Sequence, residues 1–251
     1  MTGASGGIGE RFARMLAAKG FDLVLVARGE QRLGQLADEL ADAFGTESEV
    51  LVADLAELEG IRRVERRISD GAPLDTVINN AGFAWRGQFV DQPENDIAEV
   101  VSVNVLALSV LSRAALGMML PRRAGRLLNV SSVAAFLPGP SEAVYFATKA
   151  YVLSLTEALH EEARLFGVHV TALCPGITPT GFQGRAGSHH DRLPRFATTD
   201  VGLVAAQGLL ALEANVAVCV PGNLYKAFAA LTRLAPRSVV RRAAGRWMSS
   251  V

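Results

Sequence analysis

The chain has 251 residues, 50% hydrophobic and 20% charged, which fills the core of one medium domain without disulfide or metal staples and excludes a disordered chain. Lys+Arg and Asp+Glu both number 25, so no net field draws the whole molecule to nucleic acid. Cys174 and Cys219 lie in Val/Leu-rich runs, the setting of reduced core thiols and of a cytoplasmic, reducing compartment. The apolar stretches near 100–111 and 203–220 are broken by Asn104, Gln207, Glu213 and Asn215, short of the roughly 18 clean residues of a membrane span. The N-terminus lacks the charged-then-apolar pattern of a signal peptide.

In chain order, apolar runs of strand length are expected at 21–27, 49–53, 74–78, 126–131, 168–174 and 216–220. Between them, helical periodicity predicts helices at about 7–19, 29–44, 57–69, 94–120, 143–166 and 199–213, with Gly20, Gly45, Gly71, Gly125 and Gly167 near their ends as left-handed caps. This alternation is that of a doubly wound, Rossmann-like α/β fold, a parallel sheet with helices on both faces. Residues 1–220 read as the nucleotide-binding catalytic domain, including a substrate loop at 176–198, and residues 221–251 as a basic amphipathic tail.

The first motif, Thr2-Gly3-Ala4-Ser5-Gly6-Gly7-Ile8-Gly9, opens directly into a helix. Such glycines let the backbone turn tightly and approach a pyrophosphate, whose charge sits against the free N–H groups of the helix start. Downstream come Asn79-Asn80-Ala81-Gly82, then Ser132, Tyr145 and Lys149. On a helix, Tyr145 and Lys149 stand one turn apart on one face, so the ammonium can favour the ionised phenol, the arrangement a tyrosine needs to exchange a proton near neutral pH.

In this ordered set the sequence resembles the short-chain dehydrogenase/reductase family in its single-domain form, over about residues 2–220: the TGxxxGIG turn, Asp54-Leu55, the NNAG segment, Asn104, the Ser132/Tyr145/Lys149 triad and Pro175-Gly176-Ile177-Thr178-Pro179-Thr180. The resemblance implies an oxidoreductase that moves hydride between a nicotinamide and a carbonyl or secondary alcohol. Tyr145 would be the general acid/base, and Ser132 the hydrogen-bond partner of the reacting oxygen. Lys149 would lower the tyrosine pKa and hold the nicotinamide ribose, and Asn104 would anchor a proton-returning water chain. Gly3, Ser5, Gly7, Ile8, Gly9, Leu55, Asn80, Ala81, Gly82, Pro175, Gly176, Thr178 and Thr180 would line the cofactor, with Asp54 reading the adenine edge. Thr178 departs from the aliphatic residue usual at its position. Members of this form are commonly dimers or tetramers built on the two long helices, so a homo-oligomer is implied.

Cofactor choice is read where the strand at 21–27 ends in Arg28. A guanidinium pairs bidentately with phosphate, so Arg28, with Ser5 as a second contact, favours NADP(H) over NAD(H). The pair His189–His190 lacks carboxylates at ligand spacing and is not read as a metal site. Arg185, Arg192 and Arg195 in the loop suggest an apolar or acyl-chain carbonyl substrate with an anionic end.

The tail carries Lys226, Arg233, Arg237, Arg241, Arg242 and Arg246, with no acidic residue after Glu213. Leu224, Phe228 and Leu231, and then Val240, Ala244 and Trp247, recur at helical spacing, predicting two helices separated near Pro236. They would either lie on an anionic membrane surface or pack over the substrate cleft or a second subunit. A different class of function is a catalytically idle NADP(H)-sensing or scaffolding module acting through this tail, against which the intact triad argues. Finally, the glycine turn of such a fold follows a central strand, so the start at Met1-Thr2-Gly3 leads to the expectation of about six to ten further residues upstream, ending in an apolar strand.

Overall fold

The computed structural model describes residues 1–180 and 198–250. Its strands are β1 (Leu23–Ala27), β2 (Ser48–Val52), β3 (Thr76–Asn79), β4 (Arg126–Val130), β5 (His169–Leu173) and β6 (Val218–Cys219), and every pairing is parallel. β1 pairs with β2, while β3, β4, β5 and β6 form a second ladder in that order. Met1 and Thr2 run between β1 and β3. The Thr2 N–H donates to the Ile78 carbonyl (3.0 Å), the Val26 N–H to that of Met1 (2.9 Å), and the Ala4 N–H to that of Val26 (3.2 Å).

Because successive strand residues point to opposite faces, both faces must be apolar if both are covered. Leu25, Ile78, Leu128 and Leu173 pack on one face with Phe12, Leu33 and Leu36. Their neighbours Val26, Val77 and Leu127 pack on the other with Ile61, Val64, Leu111 and Met119. The helices that cover these faces are α1 (Gly7–Ala17), α2 (Glu30–Phe44), α3 (Leu58–Asp70), α4 (Glu94–Val101), α5 (Leu108–Arg122), α6 (Ala143–Arg164) and α7 (Val201–Glu213). They are followed by α8 (Asn223–Leu234) and α9 (Arg237–Ser250), parted at Pro236.

Four details differ from the sequence reading. The segment expected as one helix at 94–120 contains a π-helical stretch, Ser102–Ala107, between α4 and α5. By length and composition the whole rod Glu94–Arg122 is apolar enough to cross a membrane. It nevertheless packs as a core helix against α3, α6, β3 and β4, with more than half of its most apolar window buried. Gly71 closes α3 in extended backbone (φ −82°), and the left-handed residue after α5 is Arg123 (φ 52°), not Gly125.

A buried polar chain crosses the core. Asn79 and Asn129, register partners on β3 and β4, are joined Nδ2 to Oδ1 at 2.9 Å. The Ser112 hydroxyl of α5 accepts from Asn79 (3.1 Å) and donates to Asn129 (3.3 Å), and the Asn129 Nδ2 donates to Thr156 of α6 (3.1 Å). Asn129→Leu removes three bonds from this chain, while Asn79 and Ser112 keep each other and Thr156 keeps the Val152 carbonyl (2.6 Å), so each lost bond costs roughly 0.5–1.5 kcal/mol. Urea unfolding should therefore show a loss of about 2–4 kcal/mol with an unchanged m-value.

Candidate active site

In a parallel sheet every strand points its carboxyl end to the same edge, where the loops gather. Here that edge opens into a cavity of about 1280 Å3. Gly3, Ser5, Gly7 and Ile8 stand at one end with Arg28, Asp54 and Leu55; Asn80, Ala81 and Gly82 follow; then come Ser132, Tyr145 and Lys149, with Pro175, Gly176, Thr178 and Thr180 along the wall. Gly9 and Asn104 support this lining from behind. A side chain on Gly9 would collide with the Gly3 carbonyl and the Asn80 amide. Asn104, in the π-helical stretch, is buried, accepts from the Phe83 N–H (3.1 Å), and donates to the Phe83 carbonyl (3.0 Å) and to Thr148 (3.1 Å). His189, His190, Arg185, Arg192 and Arg195 lie outside the described residues, as does the side chain of Trp247.

The glycine turn is latched to the segment after β3. The Thr2 hydroxyl accepts from the N–H groups of Asn80 and Ala81, both at 3.0 Å. In return the Asn80 amide donates to the carbonyls of Thr2 (3.1 Å) and Gly3 (3.2 Å). Gly3 takes a left-handed φ of 65°. The cradle is thus backbone, opening onto the start of α1, which suits a phosphate bridge. With a cavity of this volume beyond it, the residues fit a dinucleotide.

At the reacting end, Ser132 caps the 3-10 turn Val133–Phe136, its hydroxyl accepting from the Ala134 N–H at 3.1 Å. Tyr145 and Lys149 lie one turn apart on α6, with the ammonium 5.7 Å from the phenol ring centre. Lys149 donates to the Val130 carbonyl at 3.0 Å and is 4% exposed. Burial holds it down to about 8. Burial also pushes the Tyr145 phenol well above its ordinary range; a hydrogen bond with Ser132 acts in the opposite direction, and the Glu142 charge adds to the rise. Burial is the largest of these influences, so the phenol is held toward its protonated form.

Several lining residues escaped the sequence reading. Arg32, one turn into α2, borders the cavity beside Arg28 and pairs with Glu10 (2.9 Å), while Arg28 lies 3.7 Å from Asp54. Glu142, just before α6, is a largely buried carboxyl on the cavity wall, raised by desolvation although the Arg86 charge opposes it. An acid three residues before a helical tyrosine looks like an ordinary helix-start charge, so only burial sets it apart. The tail also supplies wall. The Tyr225 hydroxyl accepts from the Ile177 N–H (3.1 Å), and Phe228, Val240 and Met248 face the cavity. Leu224 and Leu231, read from their spacing as part of an apolar helix face, are 54% and 66% exposed at its mouth.

A parallel sheet, a glycine cradle and a Ser/Tyr/Lys set in one cleft define a nucleotide-dependent oxidoreductase. The family model described as short chain dehydrogenase matches residues 1–191, and the chain belongs to that family. It is 31% identical over 225 residues to the very-long-chain 3-oxoacyl-CoA reductase of Anas platyrhynchos, covering 88% of this chain and 71% of that protein. It spans 59% of the protein of the same name from Mus musculus. Among solved structures, a short-chain dehydrogenase from Sphingobium yanoikuyae in complex with NADPH is 34% identical (TM-score 0.85, covering 94% of each chain). A bulky-bulky ketone specific alcohol dehydrogenase from Comamonas testosteroni is 29% identical (TM-score 0.80, again 94% of each).

The depressed lysine can be read directly, because the chain has only three, at 19, 149 and 226. With isotope-labelled lysine followed by NMR, one side-chain signal should titrate near pH 8 and be missing in Lys149→Met. The folded protein holds this proton less firmly than the unfolded chain does. Lys149 should therefore make stability rise as pH climbs from about 8 toward the ordinary 10.5.

Proposed function

We propose that the protein is an NADP(H)-dependent reductase of a bulky, largely apolar carbonyl compound, of the acyl-chain kind, with Tyr145 as proton donor. The observation that carries this reading is the single cavity that runs from the glycine cradle past Tyr145 into an apolar chamber walled by α8 and α9. The NADPH in the Sphingobium structure and the acyl and ketone substrates named for the relatives agree with it.

When bound, the nicotinamide supplies the hydride. The chain's own residues do the rest. The protonated phenol of Tyr145 gives its proton to the carbonyl oxygen as negative charge grows there, and the Ser132 hydroxyl, hydrogen-bonded with that phenol, steadies the same oxygen. Lys149, held by the Val130 carbonyl beside Gly82, would orient the ribose and offset the charge left on Tyr145. Asn104 keeps the backbone at Phe83 in place through its two bonds there and would hold the route by which the proton is replaced. Arg28, with Arg32 and Ser5 nearby on the wall, would meet a 2′-phosphate. Among the described lining residues the cations are Arg28, Arg32 and Lys149, so the described wall supports the apolar chain of the substrate and is silent on an anionic end.

Nicotinamide absorbance followed with 3-oxoacyl thioesters and bulky aryl ketones tests the activity. Tyr145→Phe should keep NADPH binding and lose roughly 10²–10⁴ in turnover; retention of more than a tenth of wild-type kcat in a chemistry-limited assay would remove Tyr145 from its role. Arg28→Asp should weaken NADPH about ten- to a hundredfold while leaving NADH little changed. Titration of both nucleotides measures this, and an unaltered preference ratio contradicts the assignment.

A further inference from the structure

The last two helices have two faces, and the cleft uses one of them. On α8 the inner side carries buried Ala229 and the cavity-facing Tyr225 and Phe228. The adjoining side carries Leu224, Ala227, Leu231 and Leu234, whose i, i+3, i+7, i+10 spacing aligns them in one stripe that turns from the cavity rim toward solvent. Its leucines are 54%, 66% and 86% exposed. Leu224 and Leu231 also border the cavity, so the stripe flanks the mouth. On α9, Ala244 and Met248 are buried, while Arg237, Arg241 and Arg242 are exposed and have no acidic partner among the described residues.

An exposed leucine stripe on a monomer marks a contact surface, and the charge selects its occupant. Six cations and no acid follow Glu213, while the chain up to Glu213 carries the balancing excess of acids, of which Glu157 pairs with Arg233 (3.5 Å). A second copy would be a poor match, since a two-fold contact places the same patch against itself and so brings like charges together. We infer that this surface docks on an anionic lipid bilayer, with the α8 leucines entering the interface and the α9 arginines at the headgroup phosphates. The cavity mouth then opens toward the acyl region. Docking of this kind stands apart from the reductase chemistry and is measured without it.

The test is flotation of the full chain with vesicles of phosphatidylcholine alone and of phosphatidylcholine mixed with phosphatidylglycerol. Binding should require the anionic lipid and be released by salt. Arg237→Gln, Arg241→Gln and Arg242→Gln together should weaken it on the order of a hundredfold, at about fivefold per charge. Leu234→Glu, at a position 86% exposed and off the cavity wall, should abolish it with the fold and NADPH affinity intact. Absence of binding to anionic vesicles overturns the inference. So does equal, salt-insensitive binding to phosphatidylcholine alone, or a light-scattering dimer that Leu234→Glu dissociates in a protein that ignores lipid.

Discussion

Everything at the active edge depends on the reciprocal latch between Thr2 and Asn80. One hydroxyl takes two backbone N–H groups, and one amide returns two bonds to backbone carbonyls. These bonds join the glycine turn to the loop after β3. Thr2 itself lies between the two ladders, bridged to Val26 and bonded to Ile78, so the latch ties the glycine turn to the β3 side of the sheet, the side whose later strands lead to Ser132 and Tyr145. The glycines follow from it: with the Asn80 amide pressed against the Gly3 carbonyl, Gly9 has no room for a side chain.

The same edge shows burial doing chemical work. Lys149 and Tyr145 have both been drawn out of water, and each is pushed toward its neutral form. For the tyrosine this favours a donor over a nucleophile, the state that reduction of a carbonyl needs first. The nearby Glu142 sharpens the effect, since a carboxylate on the wall opposes a phenolate beside it. A further positive charge beside the phenol would act in the opposite direction.

Much of this was legible in the sequence, and the reason is local. The glycine turn, the NNAG segment and the Tyr145/Lys149 spacing are each formed by residues close together in the chain, so their geometry follows from one turn or one helix. Strand and helix placement along the chain followed from apolar periodicity, with ends shifted by one or two residues where fraying and caps decide. What was hidden depends on distant contacts. Nothing near Glu142 announces its burial, and Arg32 reads as one more solvated helix charge until α2 is seen to border the cavity. The tail was read as an apolar stripe with basic flanks, but which of its faces turned inward was decided by Gly176 and Ile177, nearly fifty residues away, which Tyr225 meets. The inner role went to Ala229, Tyr225 and Phe228, and the leucines were left at the rim.

The π-helical stretch at Ser102–Ala107 gives the longest helical rod a change of phase. Each residue of a regular helix turns the side-chain direction by about 100°, and a wider turn absorbs one residue more than the α-helical count. The rod can therefore present one face to α6 along α4 and another to α3 and the sheet along α5, with Asn104 at the changeover. Length matters in this stretch more than composition: a residue lost there would re-regularise the helix and swing the Asn104 amide off the Phe83 backbone, whereas the same loss at a surface loop would only shorten it.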